Sequence, residues 1–166
     1  MSVFAIGLII VVNFIFQSTI LPYFNIFDVV PNTSLILIVI ISLLKGKKTG
    51  SLIGLIIGLL QDIIFSPVIG INGFIYFFVG YLIGMIENKL SKDNVLIPFI
   101  MTMGATVGYH LLYYVFMYFL AYNISFYSFF RKVVVIEMIC NSLLSLVIYK
   151  WFSRKFVTPF MSFKRR

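Results

Sequence analysis

Six stretches of this chain are written almost wholly in apolar residues, roughly 3–21, 31–44, 50–65, 70–87, 96–122 and 130–150. Short turn-forming segments separate them. Pro22 and Asn25 follow the first run, and Pro31 stands where it would open the second helix at its first turn. Lys45-Gly46-Lys47-Lys48-Thr49 reads as a short basic turn, Ser66-Pro67 breaks the third run, Gly70 and Gly73 open the fourth, and 87–94 is a polar loop. Crossing a bilayer takes about 20 apolar residues, with a range of ~17–25. Runs two and three are short by that measure, while run five is long enough to tilt or project beyond the lipid. The expected fold is an all-α integral membrane protein, a compact bundle of about six transmembrane helices. It is read as a single transmembrane domain over 1–166, with a basic cytoplasmic tail at 151–166.

Composition supports that class. The chain is 61% hydrophobic and 11% charged, against about 45–50% and about 25% for soluble domains. The net charge of +8 could suggest nucleic acid, but the basic residues sit between apolar runs and at the C-terminus rather than on a polar face, which reads as topology. With six spans and the N-terminus inside, every Lys and Arg except Arg131 and Lys132 falls in a cytoplasmic loop or the tail, so the positive-inside rule gives an N-in/C-in protein. The N-terminal run lacks a basic leader and an A-x-A cleavage site, so it reads as a retained first helix. The one cysteine, Cys140, permits no internal disulfide and reads as a small buried or lipid-facing residue.

Two constellations stand out within the apolar runs. Small residues recur at four-residue spacing as Gly50/Gly54/Gly58, Gly80/Gly84 and Gly104/Gly108. Side chains four apart share a helix face, and glycine lets two backbones approach closely where lipid removes the hydrophobic incentive to pack. These stripes predict close packing among the third, fourth and fifth helices, or docking of a partner there. Polar residues are the second constellation: Asn13, Gln17, Asp62, His110, Glu137 and Asn141. At about 1.5 Å per residue, Gln17 lies about 20 Å along its helix, Asp62 about 18 Å, His110 about 21 Å, and Glu137 about 10 Å below the outer face. Gln17, Asp62, His110 and Glu137 therefore fall together in the outer half of the membrane, as a polar region open to the outside.

Intramembrane ionisable groups are costly and mark functional sites. Three roles fit this region: groups that satisfy one another, a docking site for a protein partner, and a ligand or proton site. A proton relay would need polar groups through both halves of the bundle, and the inner half is nearly empty of them. Asp62 stands near the end of its helix, where the helix dipole disfavours a carboxylate. It therefore requires a compensating cation, hydroxyl or set of N–H groups from the 66–73 turn. Tyr114, Tyr118 and Tyr122 form an i, i+4 stripe that reads as an interfacial aromatic belt. In the tail, Trp151, Phe152, Phe156, Phe160 and Phe163 alternate with basic residues, as in a segment resting on anionic headgroups. The sequence carries no catalytic triad, phosphate-binding glycine loop or metal-ligand spacing, so no enzyme, cofactor or metal is expected.

The block Gly58-Leu59-Leu60-Gln61-Asp62, then Gly70, then Gly80-Tyr81-Leu82-Ile83-Gly84 resembles the bacterial rod shape-determining MreD family. Gln17-Ser18-Thr19-Ile20-Leu21-Pro22, Pro31 and the Lys45-Gly46 turn resemble it too. Pro31-Asn32-Thr33-Ser34 departs from the Pro-Asp or Pro-Asn followed by apolar residues that is frequent in relatives, and the half after residue 90 carries no distinctive motif. The resemblance implies a non-enzymatic subunit of the cell-elongation machinery in the cytoplasmic membrane. Implied partners are MreC, most directly, with MreB, RodA and a class B penicillin-binding transpeptidase as further complex members. The competing expectation is the substrate-binding subunit of an energy-coupling-factor vitamin transporter, also a six-helix protein with an outward cavity. The paired A-x-x-x-A contact of those proteins is missing here, where the first helix has only Ala5.

Overall fold

A computed structural model describes residues 3–24, 29–87, 94, 96–122, 130 and 134–156. The readings that rest on Asn25, on 88–93, on Arg131 and Lys132, and on the tail beyond Phe156 lie outside the described residues. Every element among the described residues is helical. They are α1 (Val3–Ile15), α2 (Thr33–Phe65), α3 (Ile71–Met85), α4 (Leu96–Phe119) and α5 (Val135–Phe156). After α1 the chain continues through a π turn, Phe16–Ile20, and a 3-10 turn, Leu21–Phe24. Three stretches, Phe4–Tyr23, Leu96–Phe119 and Val135–Ser153, are long and apolar enough to cross a membrane, and Ile71–Met85 is a shorter apolar helix.

Five helices stand where six runs were expected, and α2 accounts for the difference. It takes in runs two and three within 33 residues, but Gly46 has φ 79° and ψ 179°, a conformation essentially restricted to glycine. The chain reverses there. A methyl group at Gly50 would collide with the side chain of Ser42, and Gln61 Nε2 donates to Ser34 Oγ at 3.0 Å. In a straight helix these last two residues would stand about 40 Å apart. The element is therefore an antiparallel pair of arms, 33–45 and 47–65. The basic turn expected at 45–49 reduces to one non-helical residue.

The first arm is the centre of the molecule. Residues 33–44 are all buried, and Leu35, Ile36, Ile38, Val39 and Ile40 expose nothing. A helix that is apolar all round belongs in a core. At ~20 Å the arm is shorter than the hydrocarbon layer, a mismatch without consequence for a helix enclosed by protein. Asn32 caps it, accepting the Leu35 N–H at 3.0 Å. Pro31 precedes this cap instead of occupying the first turn. Pro67 ends the second arm by holding Ser66 extended at ψ 141°.

The second arm packs backbone to backbone on α3. A methyl group at Gly54 would overlap the Tyr76 carbonyl, one at Gly58 the Asn72 carbonyl, one at Gly80 the Gly50 carbonyl, and one at Gly84 the backbone of Lys47. These pairs advance in antiparallel register along the whole interface. Gly104 and Gly108 differ from the sequence expectation, because nothing lies within 4 Å of a Cβ built on either. Helix α4 meets the bundle through another face, carrying Thr102, Ala105, Thr106 and His110. It lies antiparallel to α5, with Thr106 opposite Asn141 and His110 opposite Glu137. Helix α5 continues to Phe156, so the segment read as the start of a tail is helical for its first six residues.

Candidate functional site

Opposite the Gly46 reversal, the ends of several helices bring their polar residues together. The π turn after α1 carries Gln17, whose Oε1 accepts the Thr33 N–H at 2.9 Å while its Nε2 donates to the Pro31 carbonyl at 3.2 Å. Gln17 thereby satisfies one of the orphan donors at the start of the central arm. Asn13, one turn earlier, donates to Ser34 Oγ at 2.8 Å. π turns of this kind frequently occur at functional sites, and here the turn aims two adjacent polar side chains, Gln17 and Ser18, into one space.

Asp62 is fully buried. Its Oδ2 accepts the N–H groups of Gly70 and Gly73, both at 2.9 Å, and its Oδ1 accepts the Asn72 N–H at 3.2 Å and Asn72 Nδ2 at 2.9 Å. Of the three compensations open to it, the chain uses the backbone. The turn after Pro67 swings the first N–H groups of α3 onto the carboxylate, where the helix dipole is positive. Asn72 extends the contact, since its Oδ1 accepts the Tyr109 hydroxyl at 2.7 Å.

Two further chains close the network. Tyr76, fully buried, shares a hydrogen bond with the Asn32 side chain, whose Nδ2 lies 2.8 Å from the hydroxyl. The Asn32 N–H donates to Asn141 Oδ1 at 2.8 Å. Asn141 Nδ2 in turn contacts Thr106 Oγ1 and Glu137 Oε1, both at 3.2 Å. Glu137 Oε2 stands 2.8 Å from His110 Nε2. The Tyr109 ring lies between Tyr76 and His110, with centroids 5.3 and 5.0 Å away.

Part of this network walls a cleft of about 350 Å³, lined among others by Gln17, Ser18, Gln61, Asn72, Tyr109, His110, Tyr113 and Glu137. Of the four residues expected to share a polar region, Gln17, His110 and Glu137 border the cleft. Asp62 does not; it sits behind Asn72, committed to the start of α3. Asn32, Gln61, Asn72, Tyr109 and Tyr113 are lining residues that sequence reasoning did not single out. Asn32 carried a signal, a capping residue directly before an apolar run. The tyrosines carried none that separates them from the other aromatics of α4.

Chemically, the cleft is a hydrogen-bonding surface. The acceptor capacity of Asp62 is taken by four donors, and Glu137 is engaged by His110 and Asn141. Amides and hydroxyls are what it presents, including Ser66 Oγ, which is buried without a partner among the described residues. The family model of the rod shape-determining protein MreD matches residues 1–156. The chain belongs to the MreD family. Among curated proteins and among solved structures, none gives a significant match. As an MreD family member the chain is a membrane protein with a role in rod shape determination, within the rod-shape complex.

Proposed function

We propose that this chain is a non-enzymatic scaffold of the cell-elongation machinery, inserted in the bacterial cytoplasmic membrane, and that its polar cleft docks a membrane-proximal segment of MreC. In this reading the six helical rods, counting the two arms of α2 separately, all cross the bilayer. The N-terminus and tail lie inside, and the cleft opens outward. Lys45, Lys47 and Lys48 mark the cytoplasmic end, and the cleft begins one arm's length, ~20 Å, above them. MreB, RodA and a class B penicillin-binding transpeptidase complete the complex, so that MreC held at this site helps organise lateral peptidoglycan synthesis.

One observation carries the reading. A wall of neutral hydrogen-bonding groups with one internally paired acid–base couple, His110–Glu137, stands on a glycine-packed base formed by the second arm of α2 and α3. Such a surface suits a polypeptide backbone, and a stiff base presents it at fixed geometry.

Ser18 borders the cleft, and its hydroxyl bonds to the Ile15 carbonyl and the Thr19 hydroxyl within its own turn. Ser18→Trp should narrow the opening without breaking the network. The expected result is normal amounts of protein in the membrane, at least a tenfold loss of MreC co-purification, about 1.4 kcal/mol of binding, and rounded cells. Rod-shaped cells with an intact complex would refute it. The transporter reading retains one supporting observation, the cleft itself, whose volume falls within the ~300–1,000 Å³ of small-molecule sites. A vitamin co-eluting with the purified protein in stoichiometric amount would favour it.

A further inference from the structure

On the opposite flank, α1, the first arm of α2 and α5 enclose a second depression, an apolar groove of about 530 Å³. Leu8, Val12 and Phe16 form one wall, Leu37 the floor, and Val147 and Trp151 the other wall. Its accessible lining is wholly apolar; the Asn13 amide and the Thr33 hydroxyl beside it are turned to Ser34 and Gln17. Along α1 it runs from Leu8 to Phe16, about 12 Å. Leu8, Val12, Val147 and Trp151 are each more than half exposed, so the groove opens sideways. Helices α1 and α5 both lie within stretches apolar enough to cross a membrane, which makes that side the lipid.

Apolar walls without neighbouring atoms forfeit their dispersion contacts, so a groove at this depth is filled. Its size decides by what. A helix with side chains is about 10–12 Å across, too thick to enter a depression of this volume, whereas an extended hydrocarbon chain fits along it. The charge at the level of Trp151 decides which lipid. Lys150, exposed, adjoins Trp151 and lies 13 residues from Glu137, about 20 Å toward the end that carries Lys45, Lys47 and Lys48. Tryptophan beside lysine marks the headgroup level. We propose that this groove binds one acyl chain of an anionic phospholipid, with the headgroup held at Lys150. The site is independent of the polar cleft and of any protein partner.

Trp151 is the only tryptophan in the chain, so its fluorescence reports the groove directly. The full-length protein is reconstituted in phosphatidylcholine vesicles containing a small fraction of lipid with mid-chain bromines. The brominated chains are carried either by phosphatidylglycerol or by phosphatidylcholine. Quenching should be half-maximal at about fivefold less phosphatidylglycerol, the preference that one lysine confers near an anionic surface. Val147→Phe should remove the headgroup-dependent part, and Lys150→Gln should make the two lipids equivalent while leaving chain-dependent quenching in place. Leu8→Phe fills the same groove from α1 and repeats the test if the first variant loses its fold. Equal quenching by the two lipids in the unmodified protein overturns the proposal. So does a groove-filled variant with the unmodified protein's preference, or protection of Trp151 that deepens with protein density, the sign of a second copy on this face.

Discussion

Asp62 is held by the start of the following helix. A carboxylate costs about 2.5–3.5 kcal/mol on insertion scales at the centre of a membrane helix, an upper limit for Asp62 near the end of its own. Four hydrogen bonds at about 0.6 kcal/mol each inside a membrane protein, together with a helix N-terminus contributing up to ~2 kcal/mol, are of the same size. The cost is offset locally, without a cation. All four contacts are donated to Asp62, so both oxygens must accept. Asp62→Asn turns one acceptor into a donor pointed at N–H groups, and should lower stability by about 1–3 kcal/mol. Unfolding of the detergent-solubilised protein with increasing sodium dodecyl sulfate measures this, and an unchanged midpoint would contradict the capping role. That Asp62 needs a partner can be read from its place near the end of an apolar run. The identity of that partner cannot, because it depends on how the 66–70 turn redirects the chain.

At the level of helices, identical four-residue glycine spacing has two different outcomes. The stripes of the second arm and α3 face each other, and a methyl group added at Gly54, Gly58, Gly80 or Gly84 meets backbone that cannot move aside. Gly54→Leu or Gly58→Leu should therefore abolish folded protein in the membrane, whereas Gly104→Leu should leave the unfolding midpoint within ~0.5 kcal/mol of the original. Comparing the three by yield and by sodium dodecyl sulfate titration checks the assignment, and equal damage at Gly104 would show that α4 also packs through its glycines. Spacing identifies a face, but not whether a neighbour within the chain covers it; that is decided by long-range packing, and of the two roles read for the α4 stripe the internal one is not taken up. The reversal in α2 is legible as a basic turn between two apolar runs, but its shortness is not. Lys45, Lys47 and Lys48 favour helix well enough to keep both arms helical up to one residue. Gly46→Ala puts a side chain at φ 79° and should cost about 1–3 kcal/mol, read in the same titration.

Seen whole, the molecule has a basic end at Gly46 and a polar end at the cleft, with lipid-facing residues such as Leu52, Leu82 and Val147 between them. Composition and charge placement made the membrane class legible, and counting residues along the runs brought Gln17, His110 and Glu137 to one level. Side-chain partnership was not legible, since Asn32, Asn72 and Tyr109 join the cleft only through contacts between distant helices. The proposed orientation has a direct test. In a Cys140→Ser background, a membrane-impermeant thiol reagent added to intact spheroplasts should label Ser18→Cys, and should reach Lys48→Cys only after the membrane is opened. The reverse pattern would invert the topology.

The enclosed first arm of α2 bears on how the protein is made. It leaves the ribosome before the second arm, α3, α4 and α5, yet these complete its surroundings. Thirteen residues are too few to hold a stable place in the ~30 Å hydrocarbon layer alone. Its position must therefore be secured by its own hairpin partner, through the Gly46 reversal, before the remaining helices wrap the pair. The order of assembly is written into the length of one helix.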